Sequence, residues 1–140
     1  KEEGYEDIAR FERLSMEERW RFWEEKFARC IRCYACRQAC PMCYCEPCMA
    51  ESLDPQWLMR SVNISENTAW NIMRALHLAG RCVECGACEQ SCPMNIPLMD
   101  LNRKLQKEVK ALFDYVAGMD KDAKPLLGTF RPDDREDFII

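Results

Sequence analysis

Apolar residues along the chain recur at helical spacing in three places, and nowhere alternate with polar ones over the four to eight positions that mark a half-buried strand. Met16, Trp20, Trp23 and Phe27 stand at i, i+4, i+7 and i+11, while Glu17, Glu24, Glu25 and Lys26 lie off that face. The segment opens on Ser15-Met16-Glu17-Glu18, in which Ser and Glu can satisfy each other's free amides, so a helix is expected from Ser15 to about Arg29. Its aromatic stripe is read as core rather than as a path for electrons. Asp54-Pro55 marks a turn or a helix start. A second helix is expected from a Ser65 cap to about Ala79, where Gly80 stops it, with Ala69, Ile72, Met73 and Leu76 facing inward and Trp70 to one side. Pro97 opens the longest one. There Leu98, Leu101, Leu105, Val109, Leu112 and Val116 repeat at spacings of three and four up to Gly118. Arg103, Lys104, Lys107 and Lys110 take its other side, read as solvated, with an acidic partner as the alternative. The fold class expected is all-α.

The flanks read differently. Residues 1–14 are charged and expected to fray as an N-terminal extension to a helical domain spanning 15–118. Residues 119–140 turn to Asp, Lys, Pro and Gly, with Leu126, Leu127, Phe130, Phe138, Ile139 and Ile140 scattered among them, and are expected to lie along a partner subunit. A length of 140 residues fits one compact domain with such appendages. No stretch approaches the roughly 18 uninterrupted apolar residues of a membrane span. A net charge of −4 without a Lys/Arg tract argues against nucleic acid. The chain opens at Lys1 without an apolar leader, as a trimmed product would, and a cytoplasmic setting is expected.

Cysteine changes the picture. Seven of the eleven fall between Cys30 and Cys48 and four between Cys82 and Cys92. Cys30, Cys33, Cys36 and Cys40, followed by Pro41, form C-x2-C-x2-C-x3-C-P; Cys82, Cys85, Cys88 and Cys92, followed by Pro93, form it again. This is the run of bacterial two-cluster ferredoxins, in which three closely spaced thiolates wrap one [4Fe–4S] cubane and the fourth ligates the other. The Pro redirects the chain and carries that fourth residue away. Cys30, Cys33, Cys36 and Cys92 are therefore assigned to one cluster, and Cys82, Cys85, Cys88 and Cys40 to the other. Two complete copies outweigh a pair of zinc sites or a disulfide framework.

Cys43, Cys45 and Cys48 are surplus to that scheme. Three thiolates within six residues point to a further metal site, a third [4Fe–4S] cluster or Zn²⁺, needing one more ligand. His77, the only imidazole, Glu46 and a residue from the partner are candidates, although a lone His on a helix is more often a packing residue.

The two Cys runs, with a helical spacer between them and a helix after, resemble the α-helical ferredoxin domain of succinate dehydrogenase iron–sulfur subunits and of the small iron–sulfur subunit of heterodisulfide reductase. The phrases CIRCYACRQACPMCYCEPC and LHLAGRCVECGACEQSCPMNIPL are similar to dicluster proteins of strict anaerobes that accompany hydrogenases, formate dehydrogenases, heterodisulfide-reductase-like complexes and tungsten enzymes. The iron–sulfur subunit of tungsten-dependent class II benzoyl-CoA reductase is the nearest single suggestion. The resemblance spans about residues 28–130. It implies an electron-transfer subunit relaying single electrons to or from a larger catalytic redox subunit. The alternative is an enzyme in its own right, using an incompletely ligated cluster near Cys43, Cys45 and Cys48 as a Lewis acid; a structural adaptor is weaker still.

Overall fold

The computed structural model describes residues 4–130 and 132–133, so Phe138, Ile139 and Ile140 lie outside the described residues. Six helices follow in order: α1 Glu6–Glu12, α2 Met16–Ala28, α3 Ala35–Gln38, α4 Ile64–His77, α5 Ala87–Gln90 and α6 Leu98–Phe113, with a 3-10 turn at Leu126–Gly128. No strand occurs among the described residues, and the fold is all-α and ferredoxin-like.

Helix α2 begins at the expected capping box: Glu18 N donates to Ser15 Oγ at 3.2 Å, and Ser15 N donates to Glu18 Oε2 at 2.8 Å. Only the later half of its apolar stripe is covered. Phe27 is fully buried against Cys88, Ile96 and Leu98, with Trp23 stacked on it, whereas Trp20 is 51% and Met16 77% exposed. Their upper end lines an open groove beside Phe11 and Leu101.

Helix α4 starts two residues earlier than expected, because Asn63 and not Ser65 is the cap, its Oδ1 accepting from Glu66 N at 3.0 Å. Gly80 ends the segment as foreseen, at φ +72°, a left-handed turn that glycine makes without strain. The inward face is not the one the apolar pattern selects. Asn67, Trp70, Asn71, Arg74 and Ala75 are buried, and Leu76 is half exposed. Helix α6 repeats the reversal, burying Asn102 and Gln106 alongside Leu98 and Val109, and it stops at Phe113 with Asp114 left-handed, leaving Leu112 and Val116 outside.

Of the N-terminal stretch, the described residues 6–12 form a packed helix and do not fray. Ile8 and Phe11 of α1 are buried, and α1 packs along α6 through a lattice of ion pairs. Arg103 grips Asp7 with two bonds of 2.9 Å and Glu84 with one of 2.8 Å. Lys104 and Lys107 meet Glu12 at 2.8 and 2.6 Å, Lys104 also meets Glu108, and Arg10 meets Asp100 at 2.7 Å. The basic side of α6, read as solvated, is thus largely occupied from within the chain. The described part of the tail also folds back, with Leu126 packed onto Gly80, while Leu127 and Phe130 remain exposed.

Candidate functional site

The two Cys runs fold as one local design used twice. Arg32 and Glu84, each just before the second Cys of its run, have φ of 55° and 56°; Tyr34 and Gly86, each just after it, have φ of 59° and 75°. Each loop then enters a one-turn helix, α3 or α5, and leaves through Pro41 or Pro93. Left-handed turns of this kind swing backbone N–H groups toward the enclosed sulfurs, and Glu84 N donates to Cys82 Sγ at 3.4 Å. For a non-glycine such as Tyr34 the turn costs roughly 1–2 kcal/mol. It is offset locally. The Tyr34 hydroxyl accepts from Arg32 Nη2 at 2.8 Å, and its ring meets Trp70 edge-on at 4.9 Å. Buried Arg32 also donates to the carbonyls of Met59 and Glu66, which ties the 49–63 loop to the first run.

Between the loops lie two cavities. One is lined by Cys30, Cys33 and Cys36 with Cys92 from the other loop, under Trp70. The second is lined by Cys82, Cys85 and Cys88 with Cys40 from the first loop, beside Asn102. Asn102 Nδ2 donates to Cys88 Sγ at 3.5 Å. Each set of four therefore combines three cysteines of one run with the last cysteine of the other. Burial pushes the thiols of Cys36, Cys82 and Cys88 above their ordinary value, so ligation must displace their protons.

Among the described residues no three His, Cys, Asp or Glu side chains are set to hold a single metal ion. Tetrahedral zinc needs its thiolates about 2.3 Å from one point. A cubane instead takes each thiolate on a separate iron, so its donors stand farther apart. The enclosed, two-loop donor sets fit a cluster better than a lone ion.

Cys43, Cys45 and Cys48 line a third cavity together with His77 from the last turn of α4 and with Arg37, Arg74 and Arg81; Glu46 does not line it. Its nearest tie to the second set is the Cys40–Cys43 pair. The Cys43 thiol donates to Cys40, which draws Cys40 down to about 5 and pushes Cys43 up.

Arg74 stands among all three sets. It is 4% exposed, donates from Nη2 to the Cys36 carbonyl at 3.0 Å, and leaves Nε without a partner. Burial opposes its charge, yet Cys36, Cys43, Cys88 and Cys40 together hold its pKa above the usual value. Above it on α4, Asn67 Nδ2 donates to the carbonyls of Phe27 and Cys30 at 3.0 and 2.8 Å, and Asn71 Nδ2 donates to Asn67 O at 2.8 Å. Sequence reasoning passed over these residues. The signal was present: Asn67, Asn71 and Arg74 fall at i, i+4 and i+7, a polar stripe at helical period.

Residues 29–97 match the family model described as a 4Fe–4S dicluster domain. The chain is 34% identical over 110 residues to the F420-dependent formate dehydrogenase subunit beta of Methanocaldococcus jannaschii, which covers 78% of this chain and 28% of that protein. It is 34% identical over 106 residues to the F420-dependent formate dehydrogenase 1 subunit beta of Methanococcus maripaludis, covering 76% and 27% respectively. Cobalamin reductase PduS of Citrobacter freundii is 32% identical over 84 residues, 59% of this chain and 17% of that protein. The chain thus spans little more than a quarter of the length of the formate dehydrogenase subunits it matches. No helix among the described residues is long and apolar enough to cross a membrane. With its cysteines gathered between two repeated loops of an all-α fold, residues 29–97 form a 4Fe–4S dicluster domain, and the chain is an iron–sulfur protein of electron transfer.

Proposed function

We propose that the chain is the relay portion of an anaerobic oxidoreductase assembly, with one [4Fe–4S] cluster on Cys30, Cys33, Cys36 and Cys92 and a second on Cys82, Cys85, Cys88 and Cys40. The observation that carries this reading is the crossed composition of the two cavities. Bound clusters supply one-electron carriers whose potentials range from about −700 to +450 mV with their surroundings. The chain supplies those surroundings. Asn102, the Glu84 amide and the guanidinium of Arg74 direct positive charge or dipole toward the sulfurs, which favours the more negative, reduced form. Exposed Cys33 and Cys85 place one thiolate of each set at the surface, where an electron can enter or leave, while Cys88 is buried.

A larger catalytic redox subunit completes the reading. Similarity to formate dehydrogenase beta subunits supports a partner of formate dehydrogenase type. Assemblies of heterodisulfide-reductase or tungsten-enzyme type, the class II benzoyl-CoA reductase among them, would use the same relay, and the large subunit that co-purifies with the native chain distinguishes these. Replacing Cys92 by Ser tests the crossed ligation. It should remove the cluster anchored by Cys30, Cys33 and Cys36, read as iron content and as loss of magnetic coupling in low-temperature EPR of the reduced protein. Loss confined to the Cys82, Cys85 and Cys88 cluster would refute the assignment.

A further inference from the structure

We infer that Cys43, Cys45, Cys48 and His77 form a third [4Fe–4S] site, adjoining the dicluster pair and independent of which enzyme the relay serves. Four donors from two distant segments line one cavity: three thiolates from the 43–48 loop and the imidazole at the end of α4, some thirty residues on. Glu46, in the middle of that loop, is outside it, so of the two candidates within the chain His77 is the one that lines the cavity.

A second observation points to an acceptor-rich occupant. The Nε atoms of Arg74 and Arg81 are buried without hydrogen-bond partners, and both residues line this cavity. Such orphaned donors cost on the order of 1–3 kcal/mol each, more when charged, unless something accepts from them. Arg37, the third guanidinium there, is already held by Glu51 through bonds of 2.7 and 3.1 Å. A cubane with thiolate ligands carries net negative charge and sulfides that accept N–H bonds, which is what two unpartnered Nε donors call for.

The cavity draws its donors, as the two dicluster sets do, from two segments distant in sequence. The space is of the same order as well: about 420 Å³ counting its open mouth, against 330 and 280 Å³ for the other two. Cys43 touches Cys40 of the second set, and Arg74 is shared. The third site would therefore extend the path to Cys45, a further exposed thiol in addition to Cys33 and Cys85.

The test is a difference measurement on the full chain, reconstituted anaerobically with iron and sulfide. Wild type should carry about twelve iron atoms and no zinc, and the variant with Cys43→Ser, Cys45→Ser and Cys48→Ser about eight. Equal iron in the two proteins overturns the site, as does one zinc per chain lost with the triplet. Failure of the dicluster reading would appear separately, as loss of iron that the triplet substitution does not change. If the triple variant does not fold, the ligand can be read directly in wild type. The chain has one histidine, so ¹⁵N-histidine labels His77 alone. ENDOR of the reduced protein should give a nitrogen coupling of ligating strength, absent after His77→Ala and replaced by an all-thiolate signature after His77→Cys. Absence of that coupling in wild type overturns the four-residue site.

Discussion

A single buried cation, Arg74, stands where the cysteines of all three sets converge, and its charge has a consequence that can be measured. A reduced cluster carries one more negative charge than an oxidised one. At ~8 Å and an effective dielectric near 20, a full positive charge favours that electron by ~2 kcal/mol, or ~90 mV for a one-electron couple. Arg74→Met should therefore lower the potentials of both dicluster centres by several tens of millivolts, while Arg74→Lys, which keeps the charge, should shift them less. Redox titration followed by EPR checks this, and equal shifts in both variants would assign the effect to lost packing. Asn67 acts on stability instead. It is 1% exposed, and Asn67→Ala would leave the Cys30 carbonyl without its partner at a cost of about 1–3 kcal/mol. The expected outcome is a lower midpoint of thermal cluster loss, with the Cys30-anchored centre released first.

At the level of helices, the α1–α6 clasp is electrostatic and should behave so. Lys104 and Lys107 hold the Glu12 carboxyl down to about 2 from an ordinary value near 4.5. A depressed carboxylate contributes most above its unfolded value. The clasp is thus at full strength above about pH 4.5 and is lost as pH falls toward 2. Glu12→Gln should speed amide exchange in α1 several-fold at low salt, leave iron content unchanged, and lose its effect at 1 M salt, where the Debye length falls to about 3 Å. A difference that survives high salt would mean that α1 is held chiefly by Ile8 and Phe11.

The same helices explain what the sequence could and could not reveal. The Ser15 capping box, the Gly80 stop and the two Cys runs were legible because each is a local rule. The inward faces of α4 and α6 were not, because the amphipathic pattern assumes an oily interior. Here the interior is lined by cysteine loops whose carbonyls and sulfurs need donors, so Asn67, Asn71, Arg74 and Asn102 turn inward and Leu76 and Leu112 turn out. Helix α1 escaped for a related reason, since its partners are charges 90 or more residues away in sequence.

On the scale of the whole molecule, Leu112, Phe113, Val116, Met119, Leu127 and Phe130, at and after the end of α6, are all exposed, and Phe113, Leu127 and Phe130 line one groove. Deleting residues 120–140 should leave both dicluster centres loaded and weaken association with the large subunit, measured as iron per chain and as the fraction co-eluting on gel filtration. Iron loss, or unchanged co-elution, would remove the tail from the interface. The crossed cavities also set a schedule for making this protein. Each needs a residue from the far loop, so neither four-cysteine set is complete until Cys88 has left the ribosome, some sixty residues after Cys30, and the pair is complete only with Cys92. A nascent chain can offer only partial, oxidation-prone thiol sets until then. Loading is thereby deferred until both loops have been made, and a truncated product ending before Cys92 would be barred from carrying a full pair.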